Sequence, residues 1–339
     1  MNSLTETSIK TSVFDSFETA GLGELWTELL SQNETAGVNL TWEWQRSWWK
    51  SFGRGRLLLI TAERAGKKAA IAPFFTEGGM IFNLCPEDGL DFVGDISDPL
   101  VMDALLETAR AQATDFCGFK FYFIPDTSKT GERLKQAAAR LGLECHDENN
   151  LPSPALALTG TYEAQAHAAA RKKSLLRHEN YFRREGTLEV IHLRQGAEIA
   201  PHLGEFFIQH ITRRKDSGQK SLFEDPAQCD YYRRLSREIG PTGWLRFTRL
   251  NWNGRPLAFH FGLCYRKRYL FGIPSFDIEF ARHSPGEVLL RQLILAAIDE
   301  GAESFDFGIG DEAYKYRFAT HVPSLHTWGL YPVQRGDFS

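Results

Sequence analysis

Apolar positions recur every three or four residues along much of the chain, and this period predicts amphipathic helices. The first such segment includes Phe14, Phe17 and Trp26, and acidic residues near its start suit a helix dipole. Thr41 is a candidate N-cap for the tryptophan-rich segment that follows it. The helices predicted in this way span residues 12–30, 41–53, 101–113, 129–142, 162–186, 196–217, 227–239 and 284–302.

Apolar runs bounded by turn residues predict strands. Residues 56–63 and 68–75 flank a turn that contains Gly66, and this pattern predicts a hairpin. Turns at Asn253–Gly254 and Arg266–Lys267 divide residues 244–277 into three predicted strands. Further strands are predicted at residues 80–84, 90–93, 119–124 and, running into a glycine turn, 304–310.

The order of these elements indicates two domains of an α/β or α+β fold. The chain has 339 residues, which is enough for two domains, and the prolines at 152 and 154 interrupt both periodicities. Each half contains helices, a β-hairpin, a helix and then a strand. We therefore predict two copies of one module, in domains 1–152 and 153–339.

Composition excludes some classes of protein. Apolar residues make up 42% and charged residues 24% of the chain, and the net charge is −4, which excludes wholesale disorder and a globally basic nucleic-acid binder. The first 150 residues carry 14 Lys and Arg against 22 Asp and Glu, whereas the rest carry 25 against 21. An anionic ligand is therefore expected in the second half.

The five cysteines form no CxxC pair, so we expect neither a zinc site nor a disulfide framework. We also expect the protein to function in a reducing compartment. The first residues lack the apolar core of a signal peptide, and no stretch of about 18 uncharged apolar residues occurs. These features predict a cytoplasmic protein without an integral membrane segment.

The segment Ser284-Pro285-Gly286 opens the most apolar predicted helix. Proline suits a first helical turn, glycine lets a ligand approach the backbone, and free N–H groups there favour a phosphate or carboxylate. Arg282 and His283 could add positive charge. The same residues are also an ordinary way to begin a helix.

Residues 305–318 form a second candidate site, because charged residues next to glycines after a strand tend to line the ligand-binding edge of a sheet. Asp306, Asp311, Lys315 and Arg317 all lie in this segment. A salt-bridged turn is the alternative interpretation.

Other candidates have equally plain structural alternatives. Trp48 lies on a helical face that either anchors a core or lines a cleft, and His260 is either a core residue or a base. Asp98 is either a loop carboxylate or a helix cap. The basic run over residues 171–184 suits a solvated helix face or a polyanionic partner. Several enzyme classes are disfavoured because their motifs are missing from the sequence. These motifs are G-x-S-x-G, the P-loop, H-E-x-x-H and G-x-G-x-x-G.

The order of several motifs also resembles a known family. These motifs are Trp44 with Trp48 and Trp49, Ala72-Pro73, Gly94 to Asp98, Lys173 to Arg177, Phe276-Asp277, Ser284 to Gly286 and Gly301 to Phe318. In this order they resemble the acetyltransferase-like (CelD-like) family associated with cellulose and exopolysaccharide synthesis. That family is a branch of the GNAT superfamily and is similar in architecture to the Fem-type aminoacyltransferases.

The resemblance implies tandem GNAT-like domains, each a mixed and mostly antiparallel sheet flanked by helices. It implies an acyl-CoA donor and, as acceptor, an amine or hydroxyl of a sugar, amino acid or peptide. The GNAT phosphate loop, Q/R-x-x-G-x-G/A, aligns with residues 281–286, where Ala and Ser replace the first and fourth positions. Arg282, His283, Ser284 and Gly286 are the implied donor-binding residues. Aminoacyl-tRNA as donor, or a non-catalytic binding module, remain alternatives.

Roles in such a transfer follow as hypotheses. Asp306 or Asp311 would orient or deprotonate the acceptor. Lys315 would stabilise the oxyanion or bind an acceptor carboxylate or phosphate, and Arg317 would be a second anion clamp. Asp98 would reach across from the first domain. The expected substrate-binding residues are Arg317, Tyr314, Trp48 and His260. No metal is expected.

Overall fold

The computed structural model describes residues 8–33, 36–85 and 89–333. The chain divides into two compact units, one of Met1–Pro152 with Pro323–Ser339 and the other of Ser153–Val322.

The first unit is a mixed sheet with helices packed on it. Its strand order is β1-β2-β3-β4-β6-β14-β7, and β5 pairs with β3. Its strands are β1 (Ile9–Phe14), β2 (Arg56–Arg64), β3 (Lys67–Glu77), β4 (Met80–Asn83), β5 (Val93–Gly94), β6 (Gly118–Pro125), β7 (Leu143–Pro152) and β14 (Ser324–Pro332). Its α-helices are α1 (Leu22–Ser31), α2 (Trp42–Phe52), α3 (Pro99–Gln112) and α4 (Thr130–Leu141).

The hairpin predicted around Gly66 is confirmed. Arg64 pairs with Lys67, and both turn residues, Ala65 and Gly66, have positive φ, as a type I′ turn requires. The helix expected over residues 12–30 is wrong at its start, because residues 12–14 belong to β1 and the helix begins only at Leu22.

The last strand changes the expected domain boundary. β14 lies between β6 and β7 and pairs antiparallel with both, so Leu330 faces Phe119 on one side and Cys145 on the other. Trp328 and Leu330 are buried in the core of the first unit. The chain from residue 323 therefore belongs to the first unit and not, as the sequence suggested, to the second.

The second unit has the same layered design. Its strand order is β8-β13-β12-β11-β10-β9. Its strands are β8 (Ala155–Ala157), β9 (Leu188–Leu193), β10 (Leu245–Trp252), β11 (Arg255–Tyr265), β12 (Arg268–Phe276) and β13 (Ser304–Asp306). Its α-helices are α5 (Glu163–Ala170), α6 (Lys173–Glu185), α7 (Gly196–Ile199), α8 (Leu203–Asp216), α9 (Pro226–Ile239), α10 (Pro285–Asp299) and α11 (Ala313–Tyr316).

The three strands predicted over residues 244–277 are confirmed as β10, β11 and β12. Both connecting turns, Asn253–Gly254 and Arg266–Lys267, have positive φ at each residue.

Two long predicted helices are interrupted. Residues 162–186 form α5 and α6 with a break at Lys172, whose ψ of 135° is not helical. Residues 196–217 change to a 3₁₀ turn at Pro201, because proline has no N–H to continue the helix.

Helix α10 is held against α6 by a buried carboxylate. Glu179 accepts hydrogen bonds from Arg183 Nε at 2.7 Å and Gln292 Nε2 at 2.9 Å, and it also pairs with Arg291. Apolar residues of α10, among them Leu289 and Leu293, are buried on the sheet. This packing fixes the position of the α10 N-terminus, where the sequence predicted a ligand.

Candidate active site

Strands β12 and β13 separate after a short contact. They run parallel and pair only through Arg268 with Ser304, Tyr269 with Phe305, and Leu270 with Asp306, within the part of the chain that the structure describes. β12 then continues to Phe276, whereas β13 ends at Asp306. On this side of β12, no strand of the described ranges pairs with the backbone groups beyond Leu270. A cleft that opens between two strands in this way can accept an extended ligand.

Helix α10 begins beside this opening. The chain leaves β12, passes through a 3₁₀ helix (Ile278–His283), and enters α10 with Ser284 in the left-handed region at φ 52° and Pro285 in the first turn. A Cβ on Gly286 would lie 3.2 Å from the Phe276 ring, so glycine keeps this contact uncrowded. Within this first turn Pro285 has no N–H, and the Glu287 N–H donates to the Ser284 carbonyl at 3.0 Å. The Gly286 N–H is then the first-turn donor that can face an anion.

Cationic side chains surround the start of α10. Arg317 donates to Glu287 Oε1 at 2.9 Å and to Ser174 Oγ at 3.1 Å. The Lys172 ammonium and the Arg317 guanidinium lie 5.4 and 5.5 Å from the centre of the Phe318 ring. Arg317, predicted as an anion clamp, therefore lies close to the first turn of α10 and is partly neutralised by Glu287.

Arg282 and His283 form a second group before α10. Arg282 Nε donates to His283 Nε2 at 2.8 Å, and the His283 ring stacks on Tyr181 with centroids 3.6 Å apart. Desolvation and then the Arg282 charge lower the pKa of His283. His283 therefore acts here as a neutral acceptor that orients Arg282. The structure brings the predicted donor-binding residues together at the end of β12.

Lys315 is placed differently from the sequence expectation. Its side chain is buried, and its ammonium donates to the carbonyls of Gly308 at 3.0 Å and Ile309 at 2.8 Å and pairs with Glu312 Oε2 at 2.9 Å. An ammonium has three N–H donors, and these contacts use all of them. In this arrangement Lys315 holds the loop after β13 and has no donor left for an oxyanion.

Asp306 also supports this loop. Its Oδ1 accepts the Gly308 N–H at 2.8 Å and the Ser153 hydroxyl at 3.3 Å. Burial raises the pKa of Asp306, and the Gly308 hydrogen bond opposes this rise. Asp311 and Tyr314, in contrast, are exposed and lie after the end of β13. Of the predicted acidic groups in this segment, Asp311 is the one that solvent or an acceptor can reach.

His260 does not fit the substrate-binding role that the sequence suggested. The residue has 0% exposure, and its ring stacks with Phe271 at a centroid distance of 5.2 Å and 12° between the planes. Neither ring nitrogen has a hydrogen-bond partner among the described residues. Burial lowers the pKa of His260 to about 3. The histidine is therefore a neutral core residue, which is the alternative that the sequence left open.

Asp98 and Trp48 belong to the first unit. Asp98 caps α3 by accepting the Leu100 N–H at 2.9 Å, and it also pairs with Arg64. The Trp48 ring packs against Phe75 of β3 with a centroid distance of 6.2 Å. Within their own unit, both residues have the structural roles, helix cap and aromatic anchor, that the sequence allowed. A catalytic role for Asp98 stays a prediction.

A separate pocket of about 550 Å³ lies between β9, β10 and the C-terminal half of α10. Three of its charged groups pair with one another, since Glu300 accepts from Arg246 Nε at 2.7 Å and from Arg194 Nη2 at 3.1 Å. These two arginines therefore have a counter-ion within the pocket.

The geometry agrees with comparison to known proteins. Residues 169–316 match the family model described as an acetyltransferase (GNAT) domain. Residues 169–316 are therefore similar to a GNAT acetyltransferase domain. The match includes the β12–β13 opening, the start of α10 and the Lys315 loop. No curated protein matches the sequence.

Solved structures share the fold at low identity. The crystal structure of FemX has a TM-score of 0.66 at 10% identity and covers 92% of this chain and 96% of its own. L-PGS from Bacillus licheniformis has a TM-score of 0.53 at 14% identity and covers 92% of each chain. A tandem GNAT protein from the clavulanic acid biosynthesis pathway has a TM-score of 0.51 at 11% identity and covers 95% and 98%.

Two predictions are thereby confirmed. The fold is α/β with two sheets flanked by helices, as in tandem GNAT proteins. The enzyme class is acyltransferase. None of the helices in the described ranges is long and apolar enough to cross a bilayer. The cytoplasmic location expected from the sequence stays a prediction.

Proposed function

We propose that this GNAT acyltransferase uses an acyl-CoA donor and transfers the acyl group to an amine or hydroxyl of a sugar, amino acid or peptide. The observation that carries the proposal is the opening between β12 and β13 next to the start of α10. The pantetheine arm would lie along the unpaired part of β12. The pyrophosphate would bind the Gly286 N–H at the positive end of the α10 dipole, with Arg282, Arg317 and Lys172 nearby.

The chemistry needs few protein groups. The acceptor nitrogen or oxygen attacks the thioester carbonyl, a C–N or C–O bond forms, the C–S bond breaks, and the acceptor proton ends on the CoA sulfur. Asp311 is the exposed carboxylate that could take that proton first. Lys315 and Asp306 would contribute by holding the loop that carries Asp311.

A thermal-shift titration with CoA and acetyl-CoA tests the donor site. A ligand that binds the folded state raises the midpoint with concentration. Gly286→Asp should abolish the rise, because a carboxylate in the first turn suits the helix dipole but repels a phosphate. Gly204→Asp is the matched control, since Gly204 is also the second residue of its helix and has open space around it.

The proposal fails if wild-type protein shows no shift at millimolar CoA, or if both Asp variants retain the same shift. A shift without turnover of any acceptor would instead favour a non-catalytic binding module. The resemblance to the CelD-like family adds the narrower prediction that the acceptor is a sugar used in exopolysaccharide synthesis.

A second candidate is an aminoacyl-tRNA donor. The observation that favours it is a set of exposed cations, Arg171, Lys173 and Arg177, none of which pairs with a carboxylate in the described residues. The similarity of fold to FemX and L-PGS also supports it. Binding of bulk tRNA that weakens steeply with salt, and that Lys172→Gln with Lys173→Gln removes, would favour this donor over CoA.

A further inference from the structure

Arg213 on α8 differs from two other partly buried arginines of the second unit, Arg246 and Arg291. Arg246 and Arg291 pair with the carboxylates of Glu300 and Glu179. Arg213 is also partly buried, but no hydrogen bond or ion pair joins its guanidinium to any described residue. Its guanidinium instead lies over the ring of Phe276, whose centre is 5.2 Å from the guanidinium carbon.

This contact places Arg213 at the opening between β12 and β13. Phe276 ends β12, and its ring lies against Gly286 in the first turn of α10. Tyr314, which follows the loop after β13, lies within electrostatic range of the same guanidinium. Arg213 therefore lies on a helix that is separate from both parts of the proposed donor site, the β12–β13 opening and the start of α10. Its side chain reaches the place where these two parts meet.

Among the residues that the structure describes, none supplies a counter-ion to the Arg213 guanidinium. Desolvation and then the charge of Arg214 lower the pKa of Arg213, yet it stays cationic at neutral pH. A partly buried charge without a partner is unfavourable, so such groups are normally paired. A carboxylate or phosphate would fit, because either one matches the planar fork of N–H donors.

We propose that Arg213 binds a carboxylate or phosphate on the acyl acceptor, so that the acceptor is an anionic amine or alcohol. This inference rests on the proposed function, in which the donor phosphates bind separately at the start of α10. The acceptor has to reach the thioester between β12 and β13, and Arg213 is positioned there to hold its anionic end.

The first test uses acceptors that differ only in the anionic group. Glycine is compared with glycinamide, and glucosamine 6-phosphate with glucosamine, while release of CoA from acetyl-CoA is followed. We expect the anionic member of at least one pair to have a kcat/KM about tenfold higher or more. Arg213→Gln should bring the ratio near one and Arg213→Lys should retain part of it. Arg233→Gln, at an exposed position paired with Asp230, should keep it.

The second test does not depend on turnover. In Gly286→Asp protein, whose donor phosphate site is blocked, inorganic phosphate or citrate should still raise the thermal midpoint. Adding Arg213→Gln should remove that rise, and adding Arg233→Gln should not.

Three results would overturn the assignment. The first is that charged and neutral acceptors are used equally well. The second is that anions still raise the midpoint of the Gly286→Asp protein after Arg213→Gln is added. The third is that CoA no longer stabilises the Arg213→Gln protein, which would mean that Arg213 binds the donor. Failure of the proposed function is a different result, because then CoA does not stabilise the wild-type protein.

Discussion

At the scale of single residues, burial separates the side chains that support the site from those that can react. Lys315 and Asp306 have the residue types and the position expected of catalytic groups, but their polar atoms bind the loop backbone. Asp311, five residues after Asp306, is exposed. Sequence could predict the cluster. It could not predict which members turn inward, because that depends on the path of the loop.

His260 leads to a prediction about pH. Its pKa in the folded protein is about 3, against about 6.5 when unfolded, so the unfolded state binds more protons below pH 6.5. The stability that depends on keeping this ring neutral is complete above pH 6.5 and is lost as the pH falls towards 3. Between pH 7 and pH 5 the loss is about 2 kcal/mol.

Urea denaturation at several pH values measures this effect. His260→Leu should remove about 2 kcal/mol of the difference in unfolding free energy between pH 7 and pH 5. His146→Leu, at an exposed position on β7, should leave the difference as in the wild type. If His260→Leu has the same pH dependence as the wild-type protein, the ring is not the neutral buried group that the geometry shows.

At the scale of elements, the sequence predicted central hairpins well and edge strands poorly. β1, β7, β8 and β9 are the terminal strands of the two sheets, and none of them was predicted as a strand. β7 reads LECHDENNLP and is mostly exposed, so its sequence shows no apolar run or alternation. An edge strand has one neighbour to pair with, and its polar residues protect the sheet against further pairing.

The loop after β13 gives a prediction at this scale. Lys315→Met removes the donors to the Gly308 and Ile309 carbonyls, and we expect a loss of about 2 kcal/mol in the free energy of unfolding. Amide hydrogen exchange over residues 307–315 should become faster in the same variant. Lys173→Met, at an exposed position, is the control. Unchanged stability and exchange together with lost turnover would instead assign Lys315 to the chemistry.

The same scale explains why Arg213 was not predicted. Its helix also carries Arg214 and Lys215, so the sequence shows only a basic helix end. The features that mark Arg213 are its contact with Phe276, which is distant in sequence, and the lack of an acidic partner among the described residues. Both are properties of the packed structure.

At the scale of the whole molecule, two similar units were predictable because each half repeats the order of helices, hairpin, helix and strand. The return of β14 to the first unit was not. SLHTWGLYP has the composition of a buried strand, but nothing in its sequence indicates which sheet it joins. Pairing is decided by register with strands about 170–210 residues earlier in the chain.

This topology predicts that the second unit is an insertion into the first. Residues 153–322 expressed alone should unfold cooperatively, because their sheet and core are complete. Residues 1–152 alone should not unfold cooperatively, because β7 then has no strand to pair with and the core lacks Trp328 and Leu330. The loss of each large buried side chain lowers the free energy of unfolding by about 3 kcal/mol or more. Pro152 pairs with Ser324, so an Asn-Gly turn could join β7 directly to β14.

The joined chain consists of residues 1–152, Asn-Gly and residues 324–339. It should regain a cooperative unfolding transition in urea, which far-UV circular dichroism measures. A version with residues 324–332 in scrambled order should remain as unstable as residues 1–152 alone. The interpretation is wrong if residues 1–152 alone unfold cooperatively at the same urea midpoint as the joined chain. In that case β14 would add a strand to a sheet that is already stable, and the expected boundary at 152 would describe an independent domain.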